Sequence, residues 1–146
     1  MIDCYRGVVH PWLCDAMGHM TTRHYVAMFD DASYHLLSAI GFRAEHLDRG
    51  LGFADVRMTL DYRAELRAGA LVLVRGVVTR LGERSMTARY RMETVPEGGL
   101  AAEMESVTAQ FDLRARRAIP LLPEIRAGAE AILSADPQFS ASRSMS

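Results

Sequence analysis

The clearest signal along the chain is a change of hydrophobic period. Tyr25, Met28, Phe29, Ala32, Leu36 and Ile40 recur at spacings of three and four, an apolar stripe running down one side of a helix. Thr21 or Thr22 offers an N-cap hydroxyl, and Gly41 stands where a glycine ends a helix, so the pattern predicts a helix from about 22 to 40. After an irregular stretch at 42–54 the period falls to two. In 55–63, Val56, Met58, Leu60 and Tyr62 alternate with Asp55, Arg57, Thr59, Asp61 and Arg63. In 85–94, Met86, Ala88, Tyr90 and Met92 alternate with Thr87, Arg89, Arg91 and Glu93. In 103–113, Val107, Ala109, Phe111 and Leu113 alternate with Ser106, Thr108, Gln110 and Asp112. Each reads as a half-buried antiparallel strand, apolar side inward. The run 70–79 is a more fully apolar strand. Residues 2–9 form a first strand that His10 and Pro11 end, because proline cannot donate to a ladder. Residues 123–133 read as a short C-terminal helix.

The order is therefore strand, long helix, then four strands joined by short turns. A meander with one apolar face needs a cover, and the 22–40 helix is the long amphipathic element available. The expectation is an α+β fold in which that helix lies across an antiparallel sheet of about five strands. It occupies one domain over residues 1–134, and the serine-rich segment 135–146 reads as a flexible tail.

Composition narrows the picture. The chain has 146 residues, 49% of them hydrophobic and 24% charged, with a formal net charge of -1. That is ordinary globular material with no global pull toward nucleic acid or an anionic membrane. No apolar run approaches the roughly 20 residues that span a bilayer. Two cysteines, Cys4 and Cys14, have no metal-ligand spacing, and with no signal peptide in view they are expected to be reduced thiols in a cytoplasmic protein.

Candidate chemistry concentrates in the loop Trp12–Met20 before the long helix. Asp15 is its one carboxylate, and Gly18 lets the backbone turn and a ligand approach. The amides that open the helix near Thr22 lack partners within it and carry the positive end of the dipole, so they can hold an oxyanion. A carboxylate beside such a terminus suffices for acyl transfer. The alternative for Asp15 is a turn or capping aspartate. His19 could orient water, bind substrate, pair with Asp15, or simply bond the loop backbone. Cys14 reads as a packed thiol rather than a nucleophile. His24 and His35 lie too far apart on the helix to chelate one metal. Asp30 and Asp31 are read as facing solvent or a subunit boundary.

The stretch WLCDAMGHMTTRHYVAMFDDASYHLLSAIG resembles the signature of the 4-hydroxybenzoyl-CoA thioesterase family of the hotdog superfamily. Asp15, Gly18 and Tyr25 fall in order on that family's aspartate, glycine and helix tyrosine. LDYRAELRAGALVLVRGVV and RRAIPLLPEI resemble its later strands and closing segment. The resemblance implies a hotdog fold and hydrolysis of a small or medium acyl-CoA to free acid and CoA. Asp15 would be nucleophile or general base, with the amide near Thr22 as oxyanion donor and His19 as a further site residue. It implies a site between subunits, hence a homodimer or homotetramer, with no metal and no cofactor beyond the CoA of the substrate. No nucleic-acid partner is expected, because the Arg114–Arg117 cluster has no aromatic platform or general basic excess behind it. Gly18, Met20, Tyr25, Met28 and Phe53 would line the acyl path. Arg80 and Arg84, or Arg116 with Arg114 and Arg117, could hold the CoA phosphates. Threonines at 21 and 22 replace the asparagine common in relatives. The His19 spacing does not match the aspartate–histidine pair of hotdog hydratases. The competing reading is a hotdog protein that binds acyl-CoA or an acyl carrier without cleaving it.

Overall fold

The computed structural model describes residues 1–134, and the predicted tail 135–146 lies outside the described residues. In chain order the elements are β1 (Ile2–Val8), a single 3-10 turn at Pro11–Leu13, α1 (Thr22–Ala39), α2 (Ala44–Asp48) and β2 (Leu51–Tyr62). They continue with β3 (Leu71–Leu81), β4 (Ser85–Val95), β5 (Leu100–Asp112), the two-residue β6 (Arg117–Ala118) and α3 (Pro123–Ala131). The strands pair antiparallel in the order β1-β3-β4-β5-β2, with β6 added beside the end of β5. This is the hotdog arrangement: α1 is wrapped by the curled sheet. Among the described residues no helix is long and apolar enough to cross a membrane.

Helix α1 follows its stripe. Tyr25, Met28, Phe29, Ala32 and Leu36 are buried against Val74, Val78, Met86, Ala88, Tyr90 and Met92 of the sheet, and each large side chain so buried stabilises the fold by roughly 1.5–3 kcal/mol. The helix exit is a Schellman motif. Gly41 adopts φ +113°, its N–H donates to Ser38 C=O, and Phe42 N–H donates to Leu37 C=O. The helix entry differs from expectation. Thr21 is the N-cap residue, but its hydroxyl makes no capping bond. The entry is held instead by the Thr21 N–H, which donates to Leu13 C=O at 2.9 Å.

The stretch read as irregular holds the short α2. There His46 is buried, accepts from Arg43 N–H at Nδ1 and faces Glu124 of α3 with Nε2 at 3.0 Å. A ring accepting at Nδ1 carries its proton on Nε2, so the histidine donates to the carboxylate and ties α2 to α3.

Two strand faces depart from the alternation pattern. On β5 the residues opposite the core positions Met86, Ala88, Tyr90 and Met92 are Thr108, Ser106, Met104 and Ala102. The helix-facing side of β5 is therefore the register that reads as polar, and Ser106 and Gln110 are buried on it. Gln110 is satisfied there, its Nε2 donating to Gly52 C=O at 2.7 Å and its Oε1 accepting from Leu122 N–H. On β2 the supposed apolar face is largely uncovered: Val56 is 66% exposed and Tyr62 48%. A β-bulge at Val56, where the register shifts between Asp55 and Arg57, changes the phase of the strand. Before it, Phe53 and Asp55 pair with Gln110 and Thr108 on the helix side. After it, Met58, Leu60 and Tyr62 pair with Ser106, Met104 and Ala102 on that same side.

Candidate functional site

The loop before α1 folds back on itself as a miniature hairpin. Cys14 and Met20 form an isolated bridge, Asp15 N–H donates to His19 C=O, and Gly18 N–H donates back to Asp15 C=O. Gly18 makes the reversal with φ +81°, a conformation side chains resist. The hairpin is stitched to the strand connection beside it by Met20 N–H on Leu66 C=O at 2.7 Å.

This geometry fixes the Asp15 carboxylate. Its Oδ1 accepts from Met17 N–H at 2.8 Å and His19 N–H at 3.3 Å. Among the described residues Oδ2 has no hydrogen-bond partner. One oxygen thus organises the loop while the other is available to a ligand, so the turn role and the chemical role coexist in one side chain.

Asp15, His19, Met20, Thr22 and Tyr25 line one open cleft of about 330 Å³. The cleft also takes Met17, Tyr62, Arg63, Ala64 and Glu65, which sequence reasoning missed. Glu65 arrives from the β2–β3 connection, and no spacing signal links it to the loop. The ring of His19 pairs with Glu65, Nε2 to Oε2 at 3.2 Å, rather than with the side chain of Asp15. Tyr25 is buried, donates its hydroxyl to Ala64 C=O at 3.1 Å, and meets Tyr62 edge to face at 5.2 Å. Burial, chiefly, pushes its phenol pKa above the ordinary 10.0, so Tyr25 stands as a neutral donor.

Other expected site residues lie elsewhere. Met28 is 5% exposed within the core. Phe53 lines a second cavity. Arg80 and Arg84 flank the β3–β4 turn, and Arg116, at φ 59°, sits over the Phe111 ring beyond the end of β5. The Asp15 cleft adjoins Tyr62, which pairs with Ala102, whereas Arg80 pairs with Thr87, itself opposite Val107, Arg84 C=O accepts from Gln110 N–H, and Arg116 follows the Asp112 end of β5. Those levels lie from about 17 Å (Arg80) to about 33 Å (Arg116) along β5 at the rise of an extended strand, so within one chain they do not meet Asp15. Cys14 is a free thiol directed at His10 C=O, and Cys4 is buried, with burial pushing its thiol up to about 11. Among the described residues no group of three or more histidine, cysteine, aspartate or glutamate side chains converges to hold a metal.

The second cavity, of about 230 Å³, lies between the later turns of α1 and the sheet. Its walls are Leu36, Leu37, Phe42, Phe53, Met86 and Tyr90, and its polar side carries Asp30, Asp55 and Thr108. Asp30, expected at solvent or a subunit boundary, is exposed yet reaches the mouth of this chamber.

Comparison with known proteins agrees with this architecture. The fold is similar to that of a 1,4-dihydroxy-2-naphthoyl-CoA thioesterase from Synechocystis, with TM-score 0.76 and 18% identity, covering 86% of this chain and 93% of that one. A Staphylococcus aureus protein solved in complex with CoA gives TM-score 0.82 at 15% identity, covering 93% and 90%. Likeness at these identities shows the fold. By sequence, the chain is 24% identical over 113 residues to an L-carnitine dehydrogenase/betainyl-CoA thioesterase of Rhizobium meliloti (strain 1021). The match covers 77% of this chain but 23% of that protein, so the chain spans about a quarter of the curated relative it matches. The profile of the thioesterase-like superfamily matches residues 9–128, which is most of the described chain, and the protein belongs to that superfamily.

Proposed function

We propose that the protein hydrolyses an acyl-CoA thioester to the free acid and CoA, with Asp15 as the reacting carboxylate. The observation that carries this reading is the division of labour at Asp15: Oδ1 is pinned by two backbone amides, and Oδ2 is unengaged in a cleft shared with Thr22 at the mouth of α1. A thioester carbonyl between them has a nucleophile or base on one side and unpaired helix amides on the other. Oδ2 either attacks the carbonyl carbon, expelling the CoA thiolate and leaving a mixed anhydride that water cleaves, or it takes a proton from an attacking water. In both routes the carbonyl oxygen carries the developing negative charge, and the thiolate leaves to be protonated. His19, paired with Glu65, stands where it can orient water.

Tyr62, which walls the cleft, ends β2, an edge strand of 12 residues. A long edge with exposed Val56, Met58 and Tyr62 invites pairing with another chain. We infer a homodimer joined by antiparallel pairing of two β2 strands, each chain closing the other's cleft. The acyl groups named for the relatives, one aromatic and one cationic, mark the range of substrates to be tried.

Thiol release from a panel of short, long, branched, aryl and cationic acyl-CoAs tests the reading. D15A is expected to lower turnover of the best substrate by at least about 100-fold, the scale of a positioned acid–base group, with thermal stability close to wild type. Near-normal turnover in D15A removes Asp15 from the chemistry. Tight binding of acyl-CoA with no thiol release favours the non-catalytic module, in which Asp15 serves the loop alone. Single turnover in H₂¹⁸O reports on the route, since label in the Asp15 carboxyl arises only when water attacks the Asp15 carbonyl of a mixed anhydride.

A further inference from the structure

The second cavity and the Asp15 cleft border the same strand at opposite ends. Phe53 and Asp55 of β2 wall the cavity, and Tyr62 walls the cleft. Along one chain they are separate: from Thr22 to Asp30 alone the helix rises about 12 Å. Antiparallel pairing of two β2 strands about their middle changes this. It sets the Leu51–Asp55 end of the partner strand beside the Leu60–Tyr62 end of this one. The helix-facing sides coincide, and the partner's cavity opens toward Asp15.

The chemistry of that cavity is specific. It is smaller than the roughly 300–1,000 Å³ clefts that take drug-sized ligands, so it suits a compact group rather than a long chain. Aromatic rings of Phe42, Phe53 and Tyr90 form its walls, with Phe42 and Phe53 edge to face at 5.1 Å. Two carboxylates share its polar side. Asp55 is fixed by Thr108, whose hydroxyl donates to Oδ1 at 3.1 Å, and Asp30 faces it from α1. Among the described residues lining the cavity none is basic. Burial first, then Asp55 and Asp31, raises the Asp30 pKa above its ordinary 3.8, as two acids facing one apolar chamber require. Aromatic walls with nearby carboxylates are how proteins recognise quaternary ammonium groups.

We propose that the acyl group this protein accepts is compact and positively charged, its cationic head seated among Phe42, Phe53 and Tyr90 and held by Asp30 and Asp55 of the partner subunit. This rests on the thioesterase and dimer readings above.

The test is a matched pair, trimethylglycyl-CoA and 3,3-dimethylbutanoyl-CoA, which share a shape and differ by one charge. Thiol release gives the ratio of their kcat/KM values, divided by the ratio of their hydroxide-catalysed hydrolysis rates to remove intrinsic reactivity. The corrected ratio is expected to favour the cation by at least about tenfold, and D30N and D55N together to bring it near one. The corresponding thioethers, which cannot be cleaved, read the same preference as a ratio of Kd values. Mixing D15N protein with D30N/D55N protein is expected to restore cation turnover, because a hybrid dimer holds one site with every carboxylate intact. A corrected ratio near one in wild type, or one unmoved in D30N/D55N, overturns the cationic subsite while neutral turnover keeps the hydrolase reading. A cation preference in the thioether Kd values with no thiol release from any acyl-CoA keeps the subsite and sinks the hydrolase. Failure of the mixed variants to regain activity removes the partner's role.

Discussion

At Gly76 the sheet makes room for a ring. Gly76 pairs with Tyr90, and a Cβ there would stand 2.9 Å from Tyr90 Cδ1 and 3.1 Å from Cys4 Sγ. Tyr90 is 2% exposed, meets Phe29 of α1 and also walls the second cavity, so it has little freedom to retreat. G76A is therefore expected to cost about 1–3 kcal/mol, the usual penalty for overpacking a tight core, read as a lower urea midpoint at unchanged slope. At this scale part of the site was legible. Asp15, His19, Met20, Thr22 and Tyr25 lie within eleven consecutive positions, and the structure brings them to one cleft. Glu65, Arg63 and Tyr62 were not, because strand pairing rather than sequence proximity delivers them. Nor could spacing tell that His19 prefers Glu65 to Asp15, since the hairpin at Gly18 turns its backbone N–H, not its ring, toward that carboxylate.

Among the elements, α1 was readable nearly to its ends because a 3.6-residue stripe and a glycine stop agree. On β5 the polar–apolar alternation points to the opposite face from the one that packs toward the helix. Period two locates a strand, but polarity picks the buried face only when buried polar groups are few, and here Ser106 and Gln110 point inward. α3 shows how helices dock by exclusion of a side chain. A Cβ on Gly128 would stand 1.8 Å from Ile40 C=O, a backbone atom at the end of α1 that cannot swing away. G128A is expected to push α3 off α1 and lower the thermal midpoint markedly more than G76A does. The same element carries a pH signature. The Glu124 carboxyl is held below its ordinary 4.5, first by its own backbone N–H and then by His46. A depressed folded-state value means its contribution is present above 4.5 and is lost as pH falls through the lower folded value. The difference in thermal midpoint between wild type and E124Q should thus shrink progressively on acidification below 4.5, and a difference independent of pH would refute the coupling.

For the whole molecule the decisive surface is the free edge of β2. Its exposed apolar residues look, as sequence, like a face turned to the core; they are uncovered within the chain because α1 packs chiefly on β1 and β3, at the opposite side of the sheet. Introducing like charges there, as in V56D/M58E, is expected to halve the mass seen by sedimentation equilibrium and to cut thiol release at least about tenfold, since like charges across paired strands repel. Wild-type protein that sediments as a monomer would contradict the pairing outright. The extra residue at Val56 has a consequence for how such a protein can diversify. By shifting the strand's phase midway, it lets Phe53 and Asp55 furnish one chamber and Tyr62 the other from the same side of the sheet, so the two walls are no longer bound to a shared alternation. Gain or loss of one residue at that point would leave one chamber standing and turn the other inside out, which makes chain length, as much as side-chain identity, a dial for what the protein accepts.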